Sequence, residues 1–110
     1  MPKKIKAIIN SRIRGFILRT IEYGHPHRVG DDVINDCLAQ SGVFLSSAQL
    51  ESFLDYLKDR GYVEIEKAGP EEMAFSGSRR FLIKLTAKGV DLLEGIIEDA
   101  GIKLDGAIEQ

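Results

Sequence analysis

Residues 46–65 read "SSAQLESFLDYLKDRGYVEI" and set the reading of the whole chain. Ser46, with Gln49 three positions on, makes a capping box, in which each side chain satisfies a backbone N–H that the first helical turn leaves unpaired. Leu45 and Leu50 stand where a hydrophobic staple pairs its two members. Leu50, Phe53, Leu54 and Leu57 then recur at spacings of three and four, the inward stripe of a helix that Gly61 closes. Directly afterwards the period falls to two. In "YVEIE", Val63 and Ile65 face one side and Glu64 and Glu66 the other, which is a half-buried strand.

Working outward, "RRFLIKL" alternates Phe81, Ile83 and Leu85 with Arg80, Leu82 and Lys84, so a second strand pairs with the first. The connection "KAGPEEMAFSGS" is too long and too rich in Gly, Pro and Ser for a tight turn, and predicts an extended hairpin tip. Upstream, Ile5, Ile8, Ile9, Ile13, Phe16, Ile17 and Ile21 form the stripe of a first helix over about residues 4–23. "GHPHR" is a turn, because Pro26 disfavours helix in the residue before it. A second helix runs from Gly30 or Asp31 to about Ser41, with Asp31 and Asp32 at its positive end and Gly42 closing it. Its apolar face is Val33, Ile34, Cys37 and Leu38, and "VFL" is a short extended link. A last helix takes Thr86 as cap and buries Val90, Leu93, Ile96 and Ile97, with Gly95 inside it at a cost of about 1 kcal/mol relative to Ala. The expected order is three helices, a two-stranded hairpin and a closing helix, an α+β chain forming one domain over 1–110, with its core in 4–100 and a tail from 101 to 110.

Composition narrows the function. The 44% hydrophobic and 29% charged shares are those of a globular protein, and no apolar run approaches the ~18 residues of a membrane span. The N-terminal "MPKKIKAIINSRIRG" lacks the uninterrupted apolar core of a signal peptide. One cysteine makes no internal disulfide and no thiolate zinc cluster, so the expected location is cytoplasmic. The net charge of −2 hides an asymmetry: residues 1–28 hold seven bases against Glu22 alone, and the rest holds eight bases against sixteen acids. Such polarity marks a surface for a polyanion or, more plainly, a solvated helix face.

The helix order, with "LKDRGYVEI" running into a hairpin and then "LTAKGVDLLEG", resembles the winged-helix family of helix-turn-helix proteins over residues 12–100. Leu57, Gly61, Tyr62 and Val63 match at the helix-to-wing junction, and Leu85, Thr86, Lys88 and Gly89 where the second wing strand meets the closing helix. More narrowly, the leucine–threonine–x–x–glycine run followed by Glu94-Gly95 is similar to small winged-helix proteins of Mu-like phages and prophages. The resemblance implies a recognition helix at 46–60 that enters the major groove of DNA. It implies a wing at 67–79 that touches phosphates or the minor groove.

The residues themselves fit this unevenly. The outer face of the third helix holds Ser47, Ala48, Glu51, Ser52, Asp55, Lys58 and Asp59. Ser47, Ser52 and Lys58 suit phosphates, but three carboxylates meet a polyanion with the wrong sign. Lys67, Arg79, Arg80 and Lys84 gather in the wing, and with Lys3, Lys4, Arg12 and Arg14 they are expected to converge on one phosphate-tracking surface beside the hairpin. Against this, Arg79 and Arg80 can pair with Glu64 and Glu66 across the hairpin. His25 and His27 flank a proline without a third metal ligand, Cys37 reads as an inert core thiol, and no nucleophile elbow, phosphate loop or zincin helix is present. No metal, cofactor or enzymatic activity is therefore expected. The leading expectation is a DNA-binding winged-helix regulator or phage accessory protein. The alternative is a protein-interaction adaptor that uses the acidic third helix. Apolar residues beyond one face (Ile5, Ile9, Leu92, Ile102, Leu104 and Ile108) further suggest a homodimer.

Overall fold

The computed structural model describes residues 3–104. Helix α1 (Lys3–Gly24) leads through a turn with a cis His25–Pro26 peptide into a short strand β1 (Val29–Gly30) and helix α2 (Asp31–Gln40). Helix α3 (Ser47–Asp59) and strand β2 (Val63–Lys67) follow, then helix α4 (Pro70–Phe75), strand β3 (Phe81–Leu85) and helix α5 (Ala87–Leu93). The sheet is antiparallel in the order β1-β3-β2, with Val63 opposite Leu85, Ile65 opposite Ile83 and Val29 opposite Ile83 on the other edge.

The stretch that set the reading forms as its residues dictate. Ser46 Oγ accepts from the Gln49 N–H at 3.2 Å, and Gln49 Oε1 accepts from the Ser46 N–H at 2.9 Å. Leu50, Leu54 and Leu57 are buried, with Phe53 partly so. Gly61 takes φ +85°, the Gly61 N–H donates to Lys58 and the Tyr62 N–H to Leu57, which closes the helix by a six-to-one bond and aims the chain straight into β2. Thr86 caps α5 by accepting from the Gly89 N–H, and it donates to the Gly61 carbonyl. One side chain thus fixes both ends of the hairpin region.

The core gathers the second half of α1 (Ile17, Leu18, Ile21) with Ile34 and Leu38 of α2, the α3 leucines, Val63, Ile83 and Leu85. Five expectations need correction. The sheet has three strands, because Val29–Gly30 adds to the β3 edge. The hairpin connection is not wholly extended: "PEEMAF" folds as α4, with Pro70 in its first turn and the Glu72 carboxylate accepting from the Gly69 N–H at 2.6 Å. Helix α5 ends at Leu93, so Gly95 lies outside it, Leu92 is buried and Ile96 is 66% exposed. On α2, Val33 is exposed and Cys37 only partly buried. Lastly, Ile102 is a core residue and Leu104 is partly buried, so the segment after α5 packs back on the body as far as 104. Leu92 and Ile102 are consequently not surplus apolar surface, and Ile108 lies outside the described residues.

Candidate nucleic-acid interface

The exposed face of α3 and the base of the wing lie side by side, and α2 holds them there. Asp31 Oδ1 accepts the backbone N–H groups of Arg80 at 2.9 Å and Phe81 at 3.0 Å. Asp32 Oδ1 accepts from Arg79 Nε at 2.8 Å, and Asp32 Oδ2 accepts from Ser76 Oγ at 2.7 Å. The Arg79 guanidinium also lies 5.4 Å from the centre of the Phe75 ring. The two aspartates that start α2 therefore clamp the segment between α4 and β3 and the first residue of β3. Burial pushes the Asp32 carboxyl up, but the Arg79 and Ser76 hydrogen bonds and the Arg79 charge outweigh it, and its pKa falls below the ordinary 3.8.

Arg80 differs from its neighbour. Its Nη2 donates to Glu51 Oε2 at 2.6 Å, with the two side chains 54% and 41% exposed. The pair sits on the outer face of α3, where Ser47, Ser52, Asp55, Lys58 and Asp59 are all exposed. Between α2, α3 and the wing lies a cleft of about 230 Å³ lined by Asp31, Asp36, Ser47, Glu51 and Arg80, among others. Its charge is mostly negative.

The expected single cationic patch is not what forms. Arg79 and Arg80 pair with Asp32 and Glu51, not with Glu64 and Glu66, and Glu66 pairs with Arg28. Lys84 lies opposite Glu64 in the sheet register, and Lys67 at the end of β2 is exposed opposite Phe81. Arg14 stacks 3.7 Å from the Tyr56 ring centre and donates to the Gly101 carbonyl at 3.1 Å, so it holds the C-terminal segment on α1 and α3. Lys3, Lys4 and Arg12 are exposed, with no ion pair or hydrogen bond among the described residues. Arg12 lines a groove with Ser41 and Phe44 at the C-terminal end of α2, whereas the wing is clamped to the N-terminal end. A helix of ten residues, about 15 Å long, separates the two groups of cations.

A second polar knot closes the other side of α3. Asp99 Oδ2 accepts from Tyr62 Oη and from Arg60 Nη1, both at 2.7 Å, and Asp99 Oδ1 accepts from the Gly101 N–H. Burial, then the Asp99 hydrogen bond and charge, push the Tyr62 phenol up to about 12. The residues that reading the sequence missed are thus carboxylates: Asp31, Asp32, Glu51 and Asp99. Apart from the local Gly101 contact of Asp99, their partners named above lie between 29 and 50 positions away in the chain. Only the acidic start of α2 gave a local hint.

With this geometry in view, the architecture is unambiguous. The fold is a winged helix. It is similar to the solved structure of a PadR-like transcription factor from Bacteroides fragilis, with a TM-score of 0.60, 18% identity, and coverage of 84% of this chain and 81% of that one. No protein-family model and no curated protein matches the chain. No helix among the described residues is long and apolar enough to cross a membrane.

Proposed function

We propose that the protein is a non-enzymatic, cytoplasmic winged-helix regulator that binds duplex DNA through the exposed face of α3 and the base of the wing. The observation that carries this is the Arg80–Glu51 pair, a half-exposed guanidinium lying on the helix that a winged helix turns toward its ligand. An exposed pair of this kind is worth ~1 kcal/mol at most, so a phosphate oxygen replaces Glu51 at little cost. Ser47, Ser52 and Lys58 are exposed on the same helix, and Lys67 is exposed at the end of β2, opposite Phe81. The likeness to a PadR-like transcription factor supports the reading at the level of fold. Lys3, Lys4 and Arg12 form a separate positive surface that adds to the long-range field. A phage or prophage origin rests on the resemblance around Leu85–Gly95 alone.

Fluorescence anisotropy with a labelled duplex, titrated across salt, tests the reading. With Arg80, Lys58 and Lys67 as phosphate contacts, log affinity falls against log salt with a slope of about −3. Arg80→Ala lowers that slope by about 1, and Glu51→Gln strengthens binding. Absence of binding even at about 50 mM salt rejects it. A second reading, a protein-interaction adaptor, is favoured by the acidic cleft and by Asp55 and Asp59 on the α3 face.

A further inference from the structure

Two exposed apolar patches carry opposite charge. The first is the start of α1, where Ile5, Ile8 and Ile9 are 42–48% exposed. Their stripe runs on into a groove of about 540 Å³ that includes Ile13, Phe16, Leu38 and the 79%-exposed Phe44. Lys3, Lys4 and Lys6 are exposed on the same first turns of α1, Arg12 lines the groove, and no acid precedes Glu22. The second patch is α4 in the wing, where Met73 is 49% and Phe75 82% exposed beside Glu71 and Glu72. No base occurs between residues 68 and 78. Neither patch has a partner among the described residues apart from the Arg79 contact that holds Phe75, and contiguous apolar surface of this kind marks an interaction site.

We propose that these patches are the two halves of one interface, in which a second copy of the chain pairs head to tail and each α1 start receives the other copy's α4. Charge selects this occupant. Pairing α1 with α1 brings four or more lysines and arginines against their like, and pairing wing with wing does the same for the glutamates. The complement of each patch is on the chain itself. Placement selects the symmetry. The α1 groove adjoins the C-terminal end of α2, and α4 is tied to its N-terminal end through Ser76 and Arg79. Antiparallel alignment of two copies therefore engages both patches at once, and a two-fold contact closes without leaving sites open for a filament. The inference goes beyond DNA binding, and its test contains no DNA.

Sedimentation equilibrium on the full chain decides it. The wild type is expected to be dimeric at about 50 μM. Reversal of one side by Lys3→Glu/Lys4→Glu/Lys6→Glu, or of the other by Glu71→Lys/Glu72→Lys, is expected to weaken the dimer by about tenfold or more. Combining both sets is expected to restore it to within about threefold of wild type, because the complementarity is inverted but kept. Ile8→Ser with Phe75→Ser is expected to abolish it. All these side chains are exposed except Glu72, which is partly buried and caps α4 at Gly69, and far-UV circular dichroism checks that each variant folds. A wild-type monomer at about 100 μM overturns the proposal, as does a dimer indifferent to the reversals or one that the combined variant fails to restore.

Discussion

At the wing base each arginine has a carboxylate within hydrogen-bonding distance, whereas along the first turns of α1 no lysine has one among the described residues. The two regions draw on the same residue types. They differ in what the fold brings to them. The wing leaves β2 and returns past the acidic start of α2 and the outer face of α3, so carboxylates meet its arginines from two other elements. The start of α1 projects beyond the core, which it joins only near Gly15, so its cations face solvent. A count of bases in the sequence is therefore not a count of charge offered to a ligand. Three tests put this contrast under strain.

The largest effect is expected at the wing. Asp32→Ala removes the acceptor of Arg79, whose side chain is only 15% exposed, and leaves a largely buried guanidinium without its partner. Breaking one member of such a pair costs about 3 kcal/mol, while Glu51→Ala at the exposed pair costs about 1 kcal/mol or less. Urea unfolding measures both. Equal costs would mean that the two arginines are not distinct. Protonation gives the same answer by another route. The Asp32 carboxyl titrates below 3.8 in the fold, so its contribution is whole above the unfolded value and is lost as pH falls through the lowered folded one. The stability gap between wild type and Asp32→Asn should accordingly narrow as the pH drops below 3.8.

A smaller effect is expected where the start of α1 meets the body. A Cβ added at Gly15 would stand 1.9 Å from the Lys103 carbonyl oxygen, so the segment ending in Ile102 and Leu104 must shift. Overpacking of this kind costs about 1–3 kcal/mol, against roughly 1 kcal/mol gained from better helix propensity, which leaves a net loss of about 1 kcal/mol. Hydrogen exchange should show the Lys103 N–H, which donates to the Ser11 carbonyl at 3.0 Å, losing protection first. A stabilised Gly15→Ala would mean that the C-terminal segment does not pack on α1.

What was legible follows the range of the interactions. Helix α3 could be read because its cap, staple, stripe and stop lie within some seventeen residues, and β2 because alternation begins right after Gly61. Thr86 was legible as a cap for the same reason. The short β1 was not, since Val29–Gly30 is too brief to alternate and exists through its pairing with β3. Helix α4 had a local signal that reading overlooked, a proline in the first turn and Glu72 able to turn back on Gly69, masked by the glycines and serines around it. Leu92 and Ile102 read as surplus because the chain turns after Leu93, which changes the face that a continued helix would have buried. The candidate site was the least legible part. The residues facing outward on α3 were correctly placed, but whether an arginine is offered or occupied depends on Asp32 and Glu51, far away in the chain.

The smallest effect bears most directly on what the start of α1 is for. Helix α1 begins with Lys3 and Lys4 and has no acid in its first turn, whereas α2 begins with Asp31 and Asp32. Positive charge at a helix N-terminus opposes the backbone dipole, and Lys3 and Lys6 repel each other at a spacing of three. Replacing Lys3, Lys4 and Lys6 by Gln should therefore stabilise the chain by about 0.5 kcal/mol, more at low salt than at high. Thermal unfolding at about 20 and 500 mM salt, at a concentration too low for self-association, resolves that difference. A gain in stability means that these charges act against the fold and serve a ligand outside it. A loss means that an acid of the same chain already meets them, and the contrast with the wing disappears.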